Sequence, residues 1–396
     1  MCIRDRSGST QASAGPSHAA GIGLRVDIGQ TRVDFSRPVH AVLGLPFDAM
    51  CLEEAAQAIR RAVALRQPCF LSTPNVNFLV GSRQHAGFRQ SVLHSDLSVV
   101  DGMPIVWWAR QLGVPLPERV AGADLFDRLG RDDGATPIRV FFYGGPEGVA
   151  QAASAALAQR TGGVVGVGGE APGFVSIDEM DLDGTAERIN ASGADFVLVA
   201  LGAQKGQAWI EAMRHRLKAP VMAHLGAVVN FAAQTLRRAP VWTHGIGLEW
   251  LWRITQEPAL WRRYAVDGLA LLRLLVLEGR PTQHYLRQAR ALTPKAARVR
   301  ILDAPDGSAL CLHLGGHLLD TELRSLREGL STLARSGRPM RLVFESDAAL
   351  GTAAMGLLML LEGFATDSGQ PLMAEVGDRR LARILALNGL RFSAGA

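Results

Sequence analysis

From Val39 to about Gly279 the chain alternates short apolar runs with stretches of helical periodicity. Pro68–Ser72, Leu97–Val100, Ile138–Tyr143, Phe196–Leu201 and Pro220–Leu225 are runs of strand length; Leu52–Leu65 and Gly148–Gln159 are two of the helical stretches between them. Strands that alternate with helices form a mainly parallel sheet with helices on both faces, because a parallel return needs a crossover long enough to hold a helix. The expected fold class is therefore α/β and Rossmann-like over this part of the chain. In such sheets ligands sit at the carboxyl ends of the strands. The polar residues that follow the apolar runs are thus the first place to look for chemistry.

A chain of 396 residues exceeds what one hydrophobic core usually organises. Residues 1–36 are expected as a disordered, Ser/Gly/Ala-rich leader without the apolar centre of a signal peptide. Its first six residues, Met1-Cys2-Ile3-Arg4-Asp5-Arg6, are what a sequencing-library adapter encodes when read as coding sequence, so 1–6 are expected as an assembly artefact. The first folded unit is expected over 37–279. Residues 280–297, rich in Arg and Gln with Pro281 and Pro294, are expected as a linker, and 298–396 as a small second domain of order ββαβαβα.

The net charge of +5 is modest for this length and fits either an ordinary surface or one that meets phosphates. Four cysteines, Cys2, Cys51, Cys69 and Cys311, form no CxxC pair, which gives no metal site and makes a reducing compartment the default. No apolar run reaches the roughly 18 residues of a membrane span. The glycines of 164–173 do not follow a dinucleotide fingerprint, and nothing points to nucleic acid.

Four constellations follow apolar runs. Thr73-Pro74-Asn75 offers hydroxyl and amide groups to sugar hydroxyls or phosphates, or is a polar turn around Pro74. Asp101-Gly102 places a carboxylate after a strand, where it can act as a general base or form a simple Asp-Gly turn; Arg119 can neutralise a phosphate or pair with Asp124. Gly202-Ala203-Gln204-Lys205-Gly206-Gln207 is a loop and helix start, whose amides favour an anion. The last stretch runs from His224 through Asn230 to Arg237-Arg238, Gly247-Leu248-Glu249-Trp250-Leu251-Trp252-Arg253 and Trp261-Arg262-Arg263-Tyr264. Interleaved Trp and Arg suit a lipid headgroup layer, or else pack helices with solvated arginines.

In this order the motifs resemble the WecG/TagA/CpsF glycosyltransferases, glycosyltransferase family 26, from about Val42 to Leu275. The TPN element, the Asp-Gly after a strand, RVAGADL, YGGPEGVA, LGAQKGQAWI, RRAPVW, GLEWLWR and EP followed by WRRY carry the resemblance. It implies an inverting glycosyltransferase, hexosyl- or N-acetylhexosaminyl-, that moves a sugar from a UDP-sugar donor to a polyprenyl-diphosphate-linked glycan acceptor in exopolysaccharide or surface-glycan synthesis. No cofactor and no metal are implied. Location would be cytoplasmic, peripheral on the inner face of the membrane, against its anionic surface. By resemblance Asp101 is the catalytic base, Thr73 and Asn75 are active-site polar groups, and Arg119 engages the diphosphate. Gly173, Phe174, Gly202, Gln204, Gln207 and Asn230 would meet the nucleotide. Arg253, Arg262 and Arg263 would belong to a membrane-docking appendage, 242–279, that faces membrane and acceptor.

The family's usual GxPKQE is altered here. Gln204 stands for the Pro, Gly206 for an active-site Gln and Gln207 for the Glu, and the usual FDF is Val229-Asn230-Phe231. A rival reading is therefore a sugar-nucleotide sensor without catalysis, discriminated by whether a side-chain donor of loop 204–207 reaches the nucleotide pocket. The second domain resembles a STAS domain in element order, in Leu342-Val343-Phe344-Glu345 and in the helix start Gly351-Thr352-Ala353. That likeness implies a module for a protein partner, with Thr352 as a helix cap or a phosphate acceptor.

Overall fold

A computed structural model describes residues 24–131, 136–233, 249–256, 258, 260–319, 323–390 and 392–394. The chain forms two compact units. One is Leu45–Arg280, and the other combines the stretch up to Gly44 with Pro281 onward.

The first unit is built on six strands: β1 (Cys69–Ser72), β2 (Leu97–Ser98), β3 (Ile138–Gly144), β4 (Val164–Glu170), β5 (Phe196–Ala200) and β6 (Val221–His224). They lie in the order β2-β1-β6-β5-β3-β4, and every pairing is parallel. Around them run α1 (Leu52–Ala64), α2 (Val76–Gln84), α3 (Ala86–Leu93), α4 (Met103–Gln111), α5 (Gly122–Gly130), α6 (Val149–Ala158), α7 (Leu182–Ser192), α8 (Ala203–Met213), α9 (Gly226–Ala232), α10 (Glu249–Gln256) and α11 (Leu260–Leu274). The two-residue period of the strands sends neighbours to opposite faces. Leu71, Phe142, Leu198 and Val221 join one core with α1, α5 and α6; Phe70, Phe141, Val197 and Met222 join the other with α7 and α8. Helices on both faces follow from that double burial.

Strand β4 falls in the glycine stretch 164–173, whose composition conceals it. Its glycines admit α6: a Cβ on Gly166 would lie 2.7 Å from the Ser154 carbonyl carbon, and one on Gly169 would lie 2.8 Å from the Gln151 nitrogen. Only strand positions without side chains let the helix backbone approach so closely.

The second unit contains α12 (Arg280–Ala291), β7 (Arg298–Asp303), β8 (Leu310–Gly315), α13 (Arg324–Arg335), β9 (Met340–Phe344), α14 (Thr352–Ser368), β10 (Leu372–Val376), α15 (Arg379–Leu387) and β11 (Ser393–Ala394). Its sheet is mixed, in the order β7-β8-β9-β10-β11, with β7 and β8 antiparallel and the rest parallel. The expected ββαβαβα order is present. Two boundaries differ from expectation. The stretch expected as a linker is largely helical: Arg280–Ala291 follows directly on a π turn, Leu275–Gly279, a local irregularity of the kind that accommodates a proline, and Thr282, Tyr285, Leu286 and Ala289 are buried. Within the expected leader, Arg25–Ile28 and Thr31–Asp34 form an antiparallel hairpin that buries Val26 and Val33. Residues 1–6 lie outside the described residues.

Candidate active site

The carboxyl ends of β1, β3, β5 and β6 open into one cleft of about 1010 Å³ within the first unit. Backbone bonds fix its floor. The Asp101 amide donates to the Pro74 carbonyl at 3.0 Å and the Val120 amide donates to the Val100 carbonyl at 2.8 Å. These two bonds bring Thr73-Pro74-Asn75, Asp101 and Arg119, distant in sequence, onto the same wall.

Thr73, Asn75, Asp101, Arg119, Gly202, Asn230 and Arg263 all line this cleft. Thr73 is buried at its root. The Asn75 side-chain carbonyl caps α2 by accepting from the Phe78 amide at 3.3 Å, which leaves its NH2 as the group for a ligand. Arg119 donates to Asp124, in the first turn of α5, at 2.8 Å, and the pair is mostly buried, with side chains 11 % and 24 % exposed. The Arg–Asp pair anticipated as a surface alternative thus exists, but it holds the guanidinium in the cleft wall. Gly202 has φ +83°, and a Cβ there would meet nothing within 4 Å, so α8 begins with bare backbone toward the cleft. Gly102, in contrast, has an extended φ of 176° that any residue adopts, so no tight glycine turn is required there.

Several expected residues are elsewhere. Gln207 is fully buried on the sheet side of α8 and donates to Ser72 Oγ at 2.9 Å. Ser72 in turn shares a 2.6 Å bond with Ser95. Helical periodicity explains this: Gly206, Gln207, Ile210 and Met213 form the buried face of α8, and Gln207 rides on it. Gln204 is exposed and does not line the cleft. Phe174 is 107 % exposed, and neither it nor Gly173 lines the cleft; Lys205 ties their loop to α8 by donating to the Val175 carbonyl. Arg262 is exposed beside the Trp261 ring, 5.6 Å from its centroid, and does not line the cleft. The side chain of Arg253 and the segment 234–248, with Arg237 and Arg238, lie outside the described residues.

The far wall is α10 and α11. Trp250, Trp261, Tyr264 and Asp267 line it, and Asn77 of α2 donates to Asp267 at 3.2 Å. Asp267 is buried, so it anchors α11 and adds no surface charge. Glu278 is likewise bonded to Arg83. His224, Gly145 and Pro146 also line the cleft and were not singled out as site residues in the sequence. Gly145 carried a signal: Gly144 and Gly145, with φ +100° and +85°, turn the chain at the end of β3, and a Cβ on Gly144 would lie 2.7 Å from the Ala200 carbonyl oxygen. Burial holds the His224 imidazole well below its ordinary value, at about 4. Among the described residues no group of three or more His, Cys, Asp or Glu side chains is placed to hold a metal ion, and no helix is long and apolar enough to cross a membrane.

A parallel sheet with a cleft at its strand ends, mostly apolar and carrying a few convergent polar groups, defines a group-transfer or ligand-binding α/β protein. The match that narrows this class is to the glycosyl transferase WecG/TagA/CpsF family, over residues 40–285. The chain belongs to that family and is a glycosyltransferase. Among curated relatives, an N-acetylglucosaminyldiphosphoundecaprenol N-acetyl-beta-D-mannosaminyltransferase of Bacillus spizizenii is 30% identical over 194 residues, covering 49% of this chain and 74% of the relative. A protein of the same name from Staphylococcus aureus is 23% identical over 224 residues, covering 56% of this chain and 85% of the relative.

Proposed function

We propose that this chain transfers a hexose or N-acetylhexosamine from a UDP-sugar to a polyprenyl-diphosphate-linked acceptor, with inversion, in building an exopolysaccharide or other surface glycan. The observation that carries this reading is the convergence of Thr73, Asn75, Asp101 and Arg119 on one cleft at the strand ends. The relatives' names, which specify an undecaprenyl-diphosphate acceptor and an N-acetylmannosaminyl group, support the substrate class. In the reaction, the acceptor hydroxyl attacks the anomeric carbon as its proton passes to the Asp101 carboxylate. The bond from that carbon to the UDP oxygen breaks, and Arg119 meets the charge left on the diphosphate.

The outer face of α11 supports a membrane-surface location for the acceptor. Val266, Leu269 and Leu272 are 64%, 71% and 57% exposed, and Arg262 and Arg273 are exposed among them, with Arg263 exposed at the rim of the cleft. Apolar side chains interleaved with arginine suit an anionic lipid interface. We read the second unit as a docking module of STAS type for a protein partner, on its element order. Thr352 in it is fully buried and shares a 3.0 Å bond with His40, which argues against a phosphate acceptor and for a structural hydroxyl.

One observation favours the sensor as a second reading: no side chain of Gln204 to Gln207 lines the cleft. Turnover separates the two. Purified protein is incubated with several UDP-sugars and a polyprenyl-diphosphate N-acetylglucosamine, and the product is read by mass spectrometry. A lengthened lipid-linked glycan is expected, with the anomeric configuration inverted by NMR. UDP-sugar binding without product from any donor would leave the sensor.

A further inference from the structure

His224 closes β6, the strand between β1 and β5, so its side chain stands between the wall that carries Thr73 and the loop that begins at Gly202. Its ring lies between two glycines. A Cβ on Gly206 would fall 2.9 Å from the ring Cγ and 3.3 Å from Nε2, and one on Gly226 would fall 3.3 Å from Nε2. Position 206 is also where the family pattern calls for a glutamine, so the imidazole occupies room that a side chain on α8 would otherwise take. His224 lines the cleft, yet its Nε2 is buried and has no hydrogen-bond partner among the described residues. An unpaired buried nitrogen is costly unless something supplies its partner. Phe78 is the aromatic neighbour, its ring centroid 6.4 Å away, and it offers no such partner.

We propose that His224 is a sugar-contacting residue that hydrogen-bonds a hydroxyl of the transferred sugar in the donor complex, and so takes over the polar role that position 206 lacks. The ring is neutral near pH 7 and therefore presents one N–H and one lone pair. That combination matches a hydroxyl, which both donates and accepts. It does not match the diphosphate, for which Arg119 supplies a full positive charge. The inference rests on the donor being a sugar nucleotide, and it names which part of the donor this residue recognises.

The test compares the wild-type chain with His224→Ala, His224→Gln and Gly206→Ala. Calorimetric binding of UDP and of UDP-N-acetylmannosamine is measured alongside initial rates, with circular dichroism as the check on folding. His224→Ala is expected to lower kcat/KM for the UDP-sugar about 10- to 100-fold, the range for losing one or two buried hydrogen bonds. UDP alone should bind within about threefold of wild type, because it lacks the transferred sugar. His224→Gln should recover part of the loss, since an amide also donates and accepts. Gly206→Ala should reproduce part of it by pushing the ring aside. A folded His224→Ala protein with wild-type kcat/KM would overturn the assignment, and so would equal weakening of UDP and UDP-sugar. If wild type turns over no donor, the transferase reading fails separately. The binding difference between UDP and UDP-sugar, abolished or kept in His224→Ala, then still decides the role of His224.

Discussion

Both units are α/β sheets with acidic residues after a strand, yet only the first opens a described cleft beside them. In the first unit Asp101 follows β2 and lines an open cleft with Arg119 and Thr73. In the second, Glu345 and Asp347 follow β9 and are held by neighbours: Arg298 reaches Glu345 at 2.6 Å and Asp347 at 2.8 Å, and Arg300 reaches Glu345 at 2.7 Å. The Gly316 amide adds a 3.2 Å bond to Asp347. The helices contrast as well. In α14 nearly every residue from Thr352 to Ala365 is buried, whereas α11 leaves a row of apolar side chains outside. A carboxylate at a strand end is therefore not a site by position alone. It becomes one where the sheet leaves a cleft beside it.

The sharpest break of this contrast is by substitution at equivalent places. Asp101→Asn keeps shape and cannot take a proton, so transfer should fall by about a thousandfold or more, within the span of removing a general base. UDP affinity should stay nearly unchanged. Glu345→Gln should leave transfer at the wild-type level, since its partners are Arg298 and Arg300. Parallel loss of activity in both variants, by the mass-spectrometric assay, would erase the distinction between the two strand ends.

A second effect is confined to the first unit, and acid reveals it. His224 is held down to about 4 by burial, against 6.5 unperturbed. Between those values the unfolded chain binds a proton that the folded chain refuses, so stability rises with pH from about 4 to 6.5 and is flat above. The full effect is on the order of 3 kcal/mol. All seven tryptophans lie between positions 107 and 261, so their fluorescence follows this unit. The urea midpoint by fluorescence should drop on acidification through this window, and the drop should be smaller in His224→Gln. An identical drop in both proteins would place the acid-sensitive group elsewhere.

The contrast between α11 and α14 is sharpened with lipid. Anionic vesicles should retain the chain at low salt and release it as salt rises, because each basic side chain near such a surface adds about 1 kcal/mol. The stretch Arg237 to Arg280 has a net charge of +3 in sequence. Two of its acids are bonded internally, Asp267 to Asn77 and Glu278 to Arg83, which favours the cationic outer face. Arg262→Glu/Arg263→Glu should weaken co-sedimentation roughly tenfold or more, following the same per-charge magnitude. Equal binding to neutral and anionic vesicles, indifferent to the double substitution, would count against a lipid-facing α11.

What was legible in the sequence follows the same divide. The parallel sheet was legible because its strands are short, apolar and separated by helical periods, and Thr73 and Asp101 were legible as cleft-lining positions because they follow such runs, whereas Arg119 stands before Val120 and was marked only as a cation for a phosphate or for Asp124. Strand β4 was hidden, since its glycines serve the approach of α6 and carry no strand pattern. Helix α12 was hidden behind Pro281 and a polar surface with only a few inward residues. Gln207 was misread because a motif position does not state which face of a helix it occupies; the face of α8 that buries Ile210 and Met213 decides that. His224 opens the last stretch in the sequence without a role of its own. Its surroundings are made by Gly206 and Gly226, and the ring's place between them exists only after α8 and β6 have packed.

The smallest expected effect belongs to the second unit and lies in a lower pH window. Hydrogen bonds from the Gly316 amide and Arg298 hold the Asp347 carboxyl down to about 2, against 3.8 unperturbed. The folded chain therefore keeps this group ionised where the unfolded chain protonates it. Its contribution is complete above about 3.8 and is lost as pH falls through about 2. The group is partly exposed to solvent, so the effect is modest and weakens with salt. Tryptophan fluorescence does not follow this unit, so amide hydrogen exchange of Arg298–Asp303 and Leu310–Gly315 is the suitable readout. Protection there should decline on going from pH 4 to pH 2, after correction for the intrinsic exchange rate, and Asp347→Asn should show the loosened state already at pH 4. Because His224 acts above pH 4 and Asp347 below it, the two units should loosen in separate windows on acidification. Simultaneous loss of protection in both units at one pH would mean that they do not titrate independently.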